Sequence, residues 1–171
     1  VYSSSHWFVG VGHCEVERRS SAEAIRARDL HAAITMVSAE PHDFYSRPGL
    51  AYLLRGDVPE KQLAVRHAAD VRALDLDRVT ATVAGIDCAG HEVLLDDGDR
   101  LAYDRLLLAT GATAVPPPFP GGDLYGVVKL DSLDDTRQII ALSRRGRAAV
   151  VVGGGITALE LVEGLRACGM A

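Results

Sequence analysis

Residues 148–158 read AAVVVGGGITA, and this stretch does most to define the fold. Five apolar residues lead into three glycines, and a helical pattern follows over residues 159–167. The order of strand, G-x-G-x-x-A turn and helix is typical of a dinucleotide-binding unit. Gly153 and Gly155 would let a pyrophosphate approach the backbone, and the helix N-terminus would offer it free N–H groups. The alternative, a plain strand-to-helix turn, is less favoured because three glycines follow five apolar residues.

A weaker copy of the pattern lies near the start, where residues 6–15 read HWFVGVGHCE. Gly10 and Gly12 fit, but Glu15 holds the third position, where a carboxylate would repel a pyrophosphate and crowd the helix. Residues 14–20 also look too long for such a turn, which predicts an insertion. An ordinary loop is an equally good interpretation of this segment alone. Glu40 favours the nucleotide site, since an acidic residue after the second strand can accept hydrogen bonds from a ribose.

The remaining periodicity predicts an α/β fold of the Rossmann-like type. Its parallel sheet would contain the strands near Val9, Met36 and Leu107, with helices on its faces. A small antiparallel hairpin unit is expected around Asp97-Gly98, a strong tight-turn sequence. The predicted helices cover residues 21–29, 50–54 and 132–145, and the predicted strands cover residues 6–9, 33–39, 82–87, 91–95, 100–103, 105–109 and 148–152. Ser132 and Asp135 form the expected cap of the 132–145 helix.

Composition excludes several classes of protein. Apolar residues make up 48% of the 171 and charged residues 24%, as in ordinary globular proteins, and the net charge of −5 argues against a nucleic-acid surface. No apolar run is long enough for a membrane span, and no signal peptide is evident. Cys14, Cys88 and Cys168 are too dispersed for a disulfide framework or a zinc site. We therefore expect a cytoplasmic protein without a metal site.

Three stretches, in this order, carry a resemblance to a known family. They are residues 40–50 (EPHDFYSRPGL), residues 94–112 with LLDDG and then YDRLLLATGA, and residues 151–160 (VVGGGITALE). They resemble the FAD-dependent pyridine nucleotide-disulfide oxidoreductase superfamily, in the variant found in nitrite reductase large subunits, rubredoxin reductases and ferredoxin reductases. The similarity extends from about residue 22 to the end of the chain.

The resemblance implies an FAD site and an NAD(P)H site. The FAD contacts that it implies are Gly10 and Gly12 at the pyrophosphate, Glu40 at the adenosine ribose, Arg47 at the flavin side of the pyrophosphate, Pro48 near the isoalloxazine, Val83 at the adenine, and Ala109, Thr110 and Gly111 closing over the cofactor. Those for NAD(P)H are Gly153, Gly155, Ala158 and Glu160.

Each assignment has a simpler alternative. Arg47 could be a solvated loop residue, Val83 a core residue, and Thr110-Gly111 the end of a strand. If the assignments hold, Gly12, Glu40, Arg47, Thr110 and Gly111 should converge at the carboxyl ends of the parallel strands, where open α/β sheets bind their ligands.

The redox cysteines of the superfamily are missing from the sequence. Its disulfide reductases carry C-x-x-x-x-C on the first helix, and its single-cysteine oxidases have one near residues 46–50; neither is present here. No catalytic residue is therefore assigned. The resemblance then favours an enzyme that takes hydride from NAD(P)H to FAD. Its electrons would go onward to a metal centre or redox partner, such as a nitrite reductase, rubredoxin or ferredoxin, or to a fused redox domain.

We expect three segments: an FAD-binding domain over residues 1–115, a connector and helix over 116–146, and the start of an NAD(P)H-binding domain over 147–171. The missing initiator Met and the end inside a helical pattern predict a fragment with a truncated second domain, inactive by itself. The alternative is a catalytically incompetent nucleotide-binding module, a truncated or degenerate copy. A third possibility, an NAD-linked enzyme without flavin, is disfavoured by Glu40 and the A-T-G motif.

Overall fold

The computed structural model describes residues 6–9, 15–64, 72–115 and 117–171, with the backbone alone for residues 6–9 and 15–19. Contacts divide the chain into two compact units. The first comprises Val1–Phe44 and Arg66–Ala112, and the second comprises Tyr45–Val65 and Thr113–Ala171. Residues 45–65 thus group with the C-terminal part, although the expected FAD-binding domain runs through them. The functional division into three segments stays a prediction.

The first unit is built on a parallel sheet. The strands are β1 His6–Val9, β2 Ala33–Ser38, β3 Leu76–Thr80, β4 Val83–Asp87, β5 Glu92–Leu95, β6 Arg100–Ala102 and β7 Arg105–Leu107. Four of them form the order β3-β2-β1-β7, and β1 pairs in parallel with both of its neighbours. Val9 lies opposite Met36 on one side and Leu107 on the other. The predicted parallel sheet is confirmed, and β3 is a further edge strand that the sequence pattern did not reveal.

The first helix is longer than predicted. Helix α1 spans Glu15–Arg28, so residues 15–20 are its first turns and the predicted insertion there is wrong. The segment shows little apolar periodicity, which hid it, but Glu and Arg are good helix formers. Glu15 also stands at a helix N-terminus, where a negative charge is favourable. Residues 10–14, between β1 and α1 in the sequence, lie outside the described residues.

Both faces of the parallel sheet are covered within the first unit. On one face, buried Ala22 of α1 packs with Ala32 and Ile34. On the other face, Val37 of β2 packs with Val93 and Leu95 of a three-stranded antiparallel sheet, in the order β4-β5-β6. The layers are thus helix, parallel sheet and antiparallel sheet. Parallel strands need this double cover because both of their faces are apolar.

The antiparallel sheet turns where the sequence predicts. Gly98 has a φ of +95°, a conformation that glycine adopts without steric cost. The Asp97 carboxylate accepts a hydrogen bond from the Asp99 N–H at 2.9 Å, and the Leu95 N–H donates to the Asp99 carbonyl at 2.9 Å. The predicted hairpin unit is confirmed.

The described helices of the second unit are α2 Gly49–Arg55, a short 3-10 turn Glu60–Gln62, α3 Leu133–Leu142 and α4 Ile156–Ala167. A buried cluster of Tyr45, Leu50, Leu63 and Leu133 joins α2 to the start of α3. The predicted cap of α3 is present: Ser132 Oγ accepts from the Asp135 N–H, and the Asp135 carboxylate accepts from the Ser132 N–H. Helix α3 ends at Leu142, three residues earlier than expected.

The predicted strand over residues 148–152 does not form. Val150 is 89% exposed and Val152 is 76% exposed, and the segment has no regular structure. Near its start, the Ala149 N–H donates to the Ala171 carbonyl at 3.0 Å, and the Ala171 N–H donates to the carbonyl of Arg147, just before the segment, at 2.8 Å. An apolar run becomes a strand only when partner strands take its backbone groups, and the sequence pattern does not supply them.

Arg26 fastens α1 to the amino ends of β2 and β3. Its guanidinium donates to five backbone carbonyls at 2.8–3.5 Å, those of Asp29, Leu30, Ala32, Leu74 and Asp75. Asp75 has a φ of +49°, which is unusual for a residue other than glycine. The guanidinium therefore stabilises a loop geometry that the chain would otherwise adopt with difficulty.

We expect Arg26→Met to lower the free energy of unfolding by about 1–3 kcal/mol, because several part-buried carbonyls lose a charged donor. Urea titration followed by circular dichroism measures the change. Arg28→Met, at an exposed position of the same last turn, is the control and should change it by less than about 0.5 kcal/mol. Equal effects of the two substitutions would contradict this role of Arg26.

A second stability prediction concerns the contact between α2 and α4. A Cβ added at Gly164 would overlap the side chain of Leu54, which is 2% exposed. Gly164→Ala should therefore destabilise the protein by about 1–3 kcal/mol through overpacking, although alanine is the better helix former. In a double variant with Leu54→Ala, the two losses should be clearly less than additive. A stabilising effect of Gly164→Ala would contradict the close packing.

Candidate nucleotide-binding site

The carboxyl edge of the parallel sheet carries the candidate site of the first unit. From β1 the chain adds β2 and β3 on one side of the sheet and later β7 on the other side, so the strand order reverses between β1 and β7. In open α/β sheets, ligands bind at the carboxyl ends of the strands beside such a reversal. Glu40 follows β2, and Ala109, Thr110 and Gly111 follow β7. The predicted residues of this unit therefore lie beyond the same edge, on either side of β1.

Glu40 follows a well-anchored strand end. Ser38 is buried; its hydroxyl accepts a hydrogen bond from the Glu40 N–H at 3.3 Å, and its carbonyl accepts one from the Ala81 N–H at 3.0 Å. Glu40 itself is half-buried. These bonds fix the backbone at the end of β2, from which the Glu40 side chain extends.

Arg78 of β3 holds the loop that follows Glu40, and sequence analysis did not identify it. Its guanidinium pairs with the Asp43 carboxylate at 2.6 Å and donates to the His42 carbonyl at 2.9 Å. Its guanidinium carbon also lies 5.6 Å from the ring centroid of Phe44. Arg78 was missed because β3 has no clear apolar alternation, so nothing in the sequence placed it beside β2.

The Ala109–Gly111 turn leaves β7 at the same edge. Ala109 is buried, whereas Thr110 and Gly111 are exposed. Gly111 has a φ of +62°, a left-handed conformation that favours glycine. Since β2 and β7 flank β1, this turn and Glu40 follow strands about 10 Å apart, two inter-strand spacings.

Other predicted FAD contacts have different positions. Val83 begins β4 and packs against the cluster of Val37, Val93 and Leu95, so it is part of the core. Gly10 and Gly12 lie outside the described residues. Because Arg47 belongs to the second unit, the expected convergence of all these residues stays a prediction.

Arg47 lies in a well-connected part of the second unit. Its Nη1 donates to the Asp131 carbonyl, and its guanidinium carbon lies 5.5 Å from the ring centroid of Tyr45. The Tyr45 hydroxyl accepts a hydrogen bond from the Leu133 N–H at 3.2 Å. Pro48 is exposed at the start of α2. Arg47 is therefore held by contacts within its unit, unlike the solvated loop residue of the alternative interpretation.

The Lys129 ammonium and the Asp131 carboxylate form an ion pair, with 3.3 Å between Nζ and Oδ2. Asp131 is also the residue whose carbonyl accepts a hydrogen bond from Arg47. Although partial burial acts in the opposite direction, the Ala114 N–H and the Lys129 ammonium lower the pKa of Asp131. Sequence analysis missed this pair because the residues that connect it to the rest of the unit, Ala114 and Arg47, are distant from it in the chain. The capping sequence at Ser132 was the one local sign that this segment is ordered.

The second glycine turn has the expected local geometry but no sheet beneath it. Gly153 has a φ of +140°, and a Cβ added there would lie 3.6 Å from the Ala158 side chain. The φ of Gly153, rather than a lack of space beside Ala158, therefore favours glycine at this position. Gly153, Gly154 and Gly155 are exposed, and Glu160 is half-buried on α4. Helix α4 begins at Ile156, directly after the glycines, earlier than predicted.

The donor set of the first unit fits a dinucleotide better than a metal ion. A carboxylate acceptor after β2 suits ribose hydroxyls, and an open glycine turn after β7 allows the backbone close to a ligand. Within residues 6–9, 15–64, 72–115 and 117–171, no group of three His, Cys, Asp or Glu side chains could hold a metal ion. In the same part of the chain, no helix is long and apolar enough to cross a membrane.

Comparison with known proteins identifies the family to which the chain is similar. The family described as Pyridine nucleotide-disulphide oxidoreductase matches residues 20–171. The ferredoxin–NAD(+) reductase component of the anthranilate 1,2-dioxygenase system of Burkholderia cepacia is 39% identical over 166 residues, covering 94% of this chain and 39% of that protein. Nitrite reductase [NAD(P)H] of Bacillus subtilis is 34% identical over 162 residues, covering 94% of this chain and 20% of that protein.

A solved structure is also similar. The NAD-dependent persulfide reductase from A. fulgidus superimposes with a TM-score of 0.85 at 32% identity, covering 96% of this chain and 32% of that one. The chain thus spans two fifths or less of the length of these relatives.

This chain belongs to the pyridine nucleotide-disulphide oxidoreductase family. Members of the family are flavoprotein oxidoreductases that use FAD, with NAD(P)H as substrate. The predicted family and its Rossmann-like α/β fold are therefore confirmed.

Proposed function

We propose that this chain is the FAD-binding part of an NAD(P)H oxidoreductase that delivers electrons to a redox partner. The observation that carries the proposal is the placement of Glu40 and the Ala109–Gly111 turn beyond one sheet edge, flanking the reversal of strand order. That edge is where open α/β sheets bind dinucleotides. Family membership supports FAD as the dinucleotide at this edge.

The residues of the chain would bind and orient the cofactor. Glu40 would accept hydrogen bonds from the adenosine ribose, and the backbone of Thr110 and Gly111 would pass close to the cofactor. Gly10 and Gly12 would admit the pyrophosphate, and Arg47 would donate to it from its planar fork. FAD, when bound, supplies the redox chemistry by accepting a hydride and releasing electrons. Val83 would contact the adenine and Pro48 the isoalloxazine.

The second glycine turn would bind the pyrophosphate of NAD(P)H through Gly153, Gly155 and Ala158, with Glu160 on the helix behind it. The turn lies directly before the N-terminus of α4, where exposed backbone N–H groups can bind an anion. The unformed strand at residues 148–152 leaves this turn without a sheet. The proposed NAD(P)H site thus lacks the supporting strand within residues 148–152, whereas the proposed FAD site lies at the edge of a formed parallel sheet.

The electron acceptor is proposed from the relatives. One relative is a ferredoxin–NAD(+) reductase and another is a nitrite reductase. We propose an acceptor of this kind, either a small redox protein or a metal centre in a fused domain. A cytoplasmic location stays a prediction from the sequence.

The second candidate is a nucleotide-binding module without catalysis. The exposed glycine turn and the exposed Val150 and Val152 favour it, because a turn without a sheet holds a dinucleotide weakly. A flavin absorbance spectrum of the protein purified as its gene encodes it, followed by addition of NADH, separates the two candidates. Bound flavin that NADH bleaches supports the oxidoreductase, and either no bound flavin or bound flavin that NADH leaves oxidised supports the module.

Glu40→Ala tests the FAD site directly. Loss of the carboxylate leaves ribose hydroxyls without their acceptor, which should weaken FAD binding by about 1–3 kcal/mol. Titration of the apoprotein with FAD, followed by the quenching of flavin fluorescence, gives the dissociation constant. The substitution is made in the protein as its gene encodes it.

Glu92→Ala is the matched control. Glu92 belongs to the same unit, and its carboxylate pairs with exposed Arg100 at 2.9 Å. FAD affinity should change less than about twofold, since a surface ion pair contributes little. An unchanged FAD affinity in Glu40→Ala would overturn the assignment of Glu40 to the ribose.

Residues 1–171 by themselves should oxidise NADH slowly or not at all. The reason is the exposure of Gly153–Gly155 and the absence of a strand before them. Stopped-flow absorbance at the flavin band, with NADH in excess, measures the rate of reduction. Rapid reduction of stoichiometric flavin by this polypeptide would contradict the prediction.

A further inference from the structure

A connected set of charged groups spans the start of α3, and we name it the Asp131 cluster: Lys129, Asp131 and Asp135. The Lys129 ammonium donates to Asp131 Oδ2 at 3.3 Å and to Asp135 Oδ2 at 3.0 Å. The same Asp135 oxygen accepts from the backbone N–H groups of Asp131 and Ser132, both at 3.0 Å. Three donor groups thus make four hydrogen bonds to two carboxylates within seven residues of chain.

The Asp131 cluster is joined to two other parts of the second unit. The Asp131 carboxylate accepts a hydrogen bond from the Ala114 N–H at 3.2 Å. The Asp131 carbonyl accepts one from Arg47 Nη1. One residue therefore connects α3, the segment at Ala114 and the arginine that precedes α2.

Capping of α3 does not by itself account for this arrangement. The cap is complete with Ser132 and Asp135, whose side chains exchange hydrogen bonds with each other's backbone. The Asp131 carboxylate takes no part in that exchange, and its acceptors serve Ala114 and Lys129 instead. A half-buried carboxylate with two donors outside the cap points to a separate role.

We propose that Asp131 and Lys129 are positioning residues for Arg47, holding its guanidinium in one orientation for the pyrophosphate of the cofactor. The inference rests on the proposed function, which assigns Arg47 to that group. Lys129 and Asp131 are not among the cofactor contacts that the family resemblance implies.

The physical argument concerns the direction of one carbonyl. The Asp131 carbonyl shares a planar peptide with the Ser132 N–H, which donates to the Asp135 carboxylate at 3.0 Å, and the Asp131 side chain is fixed by Ala114 and Lys129. The carbonyl that receives Arg47 therefore points in a defined direction. A guanidinium has five N–H donors in a rigid plane, so one bonded donor orients the others. A side chain already ordered before binding loses less entropy when the ligand binds.

The ring of Tyr45 supports the same orientation from a second direction. It is buried, its hydroxyl accepts from the Leu133 N–H, and its face lies near the guanidinium of Arg47. The start of α3 thus contacts Arg47 through both its backbone and Tyr45.

The test is a double-mutant cycle on FAD affinity in the protein as its gene encodes it. The single variants are Arg47→Met, Asp131→Asn and Lys129→Met, and each of the last two is combined with the first. Asp131→Asn and Lys129→Met should each weaken FAD binding about tenfold, the loss expected when a charge-assisted contact is disturbed. In the Arg47→Met background, the same substitutions should weaken FAD binding less than twofold.

Asp134→Asn is the matched control. It removes the same charge from the first turn of α3, but its carboxylate pairs with Arg137 at 2.8 Å rather than with the Asp131 cluster. FAD affinity should stay within twofold of the unsubstituted protein. Urea unfolding of every variant shows whether the fold is kept. Lys129→Met leaves the Ser132–Asp135 cap intact, so it serves if Asp131→Asn does not fold.

The outcomes separate this inference from the proposed function. Unchanged FAD affinity in Arg47→Met overturns the assignment of Arg47, and the inference falls with it. A loss in Arg47→Met with none in Asp131→Asn and Lys129→Met overturns the inference alone. Equal losses with and without Arg47 show a role in stability only, and they also overturn it.

Discussion

The parallel pairing of β1 with β2 and β7 is the constraint on which the first unit depends. A parallel pair needs a crossover between its strands, and both of its faces must be buried. Helix α1 supplies the crossover from β1 to β2 and covers one face, while the antiparallel sheet covers the other. The same pairing brings Glu40 and the Ala109–Gly111 turn to one edge. The parallel pairing of these strands thus determines both the fold of the first unit and the position of the candidate site.

The two edges of that sheet have different roles. At the amino ends of β2 and β3, Arg26 bonds backbone carbonyls and has no contact with predicted site residues among those described. At the carboxyl ends, Ser38 and Arg78 fix the loop around Glu40. Because residues other than the predicted ligand contacts hold this backbone, the ligand-binding side chains can vary without loss of the fold, and one fold can bind different ligands.

The second unit shows how a motif differs from a site. Gly153 adopts a φ that favours glycine and lies beside Ala158, because this local arrangement depends on neighbouring residues alone. The strand that should precede them is absent, because a strand depends on partners that its own residues cannot provide. Arg47 is the opposite case. Its sequence context assigned it a role, and contacts from the start of α3 give it a fixed position.

The sequence by itself determined the elements whose causes are local. Alternating and continuous apolar runs predicted β2 and β7, Asp97-Gly98 predicted the hairpin turn, and Ser132 with Asp135 predicted a helix cap. Three motifs in order also predicted the family and the residues assigned to its cofactors. Only the tertiary structure decided the rest. The edge strand β3, the contact of Asp131 with Arg47 and the unformed strand at residues 148–152 all depend on groups far apart in the chain, and local periodicity carries no record of such contacts.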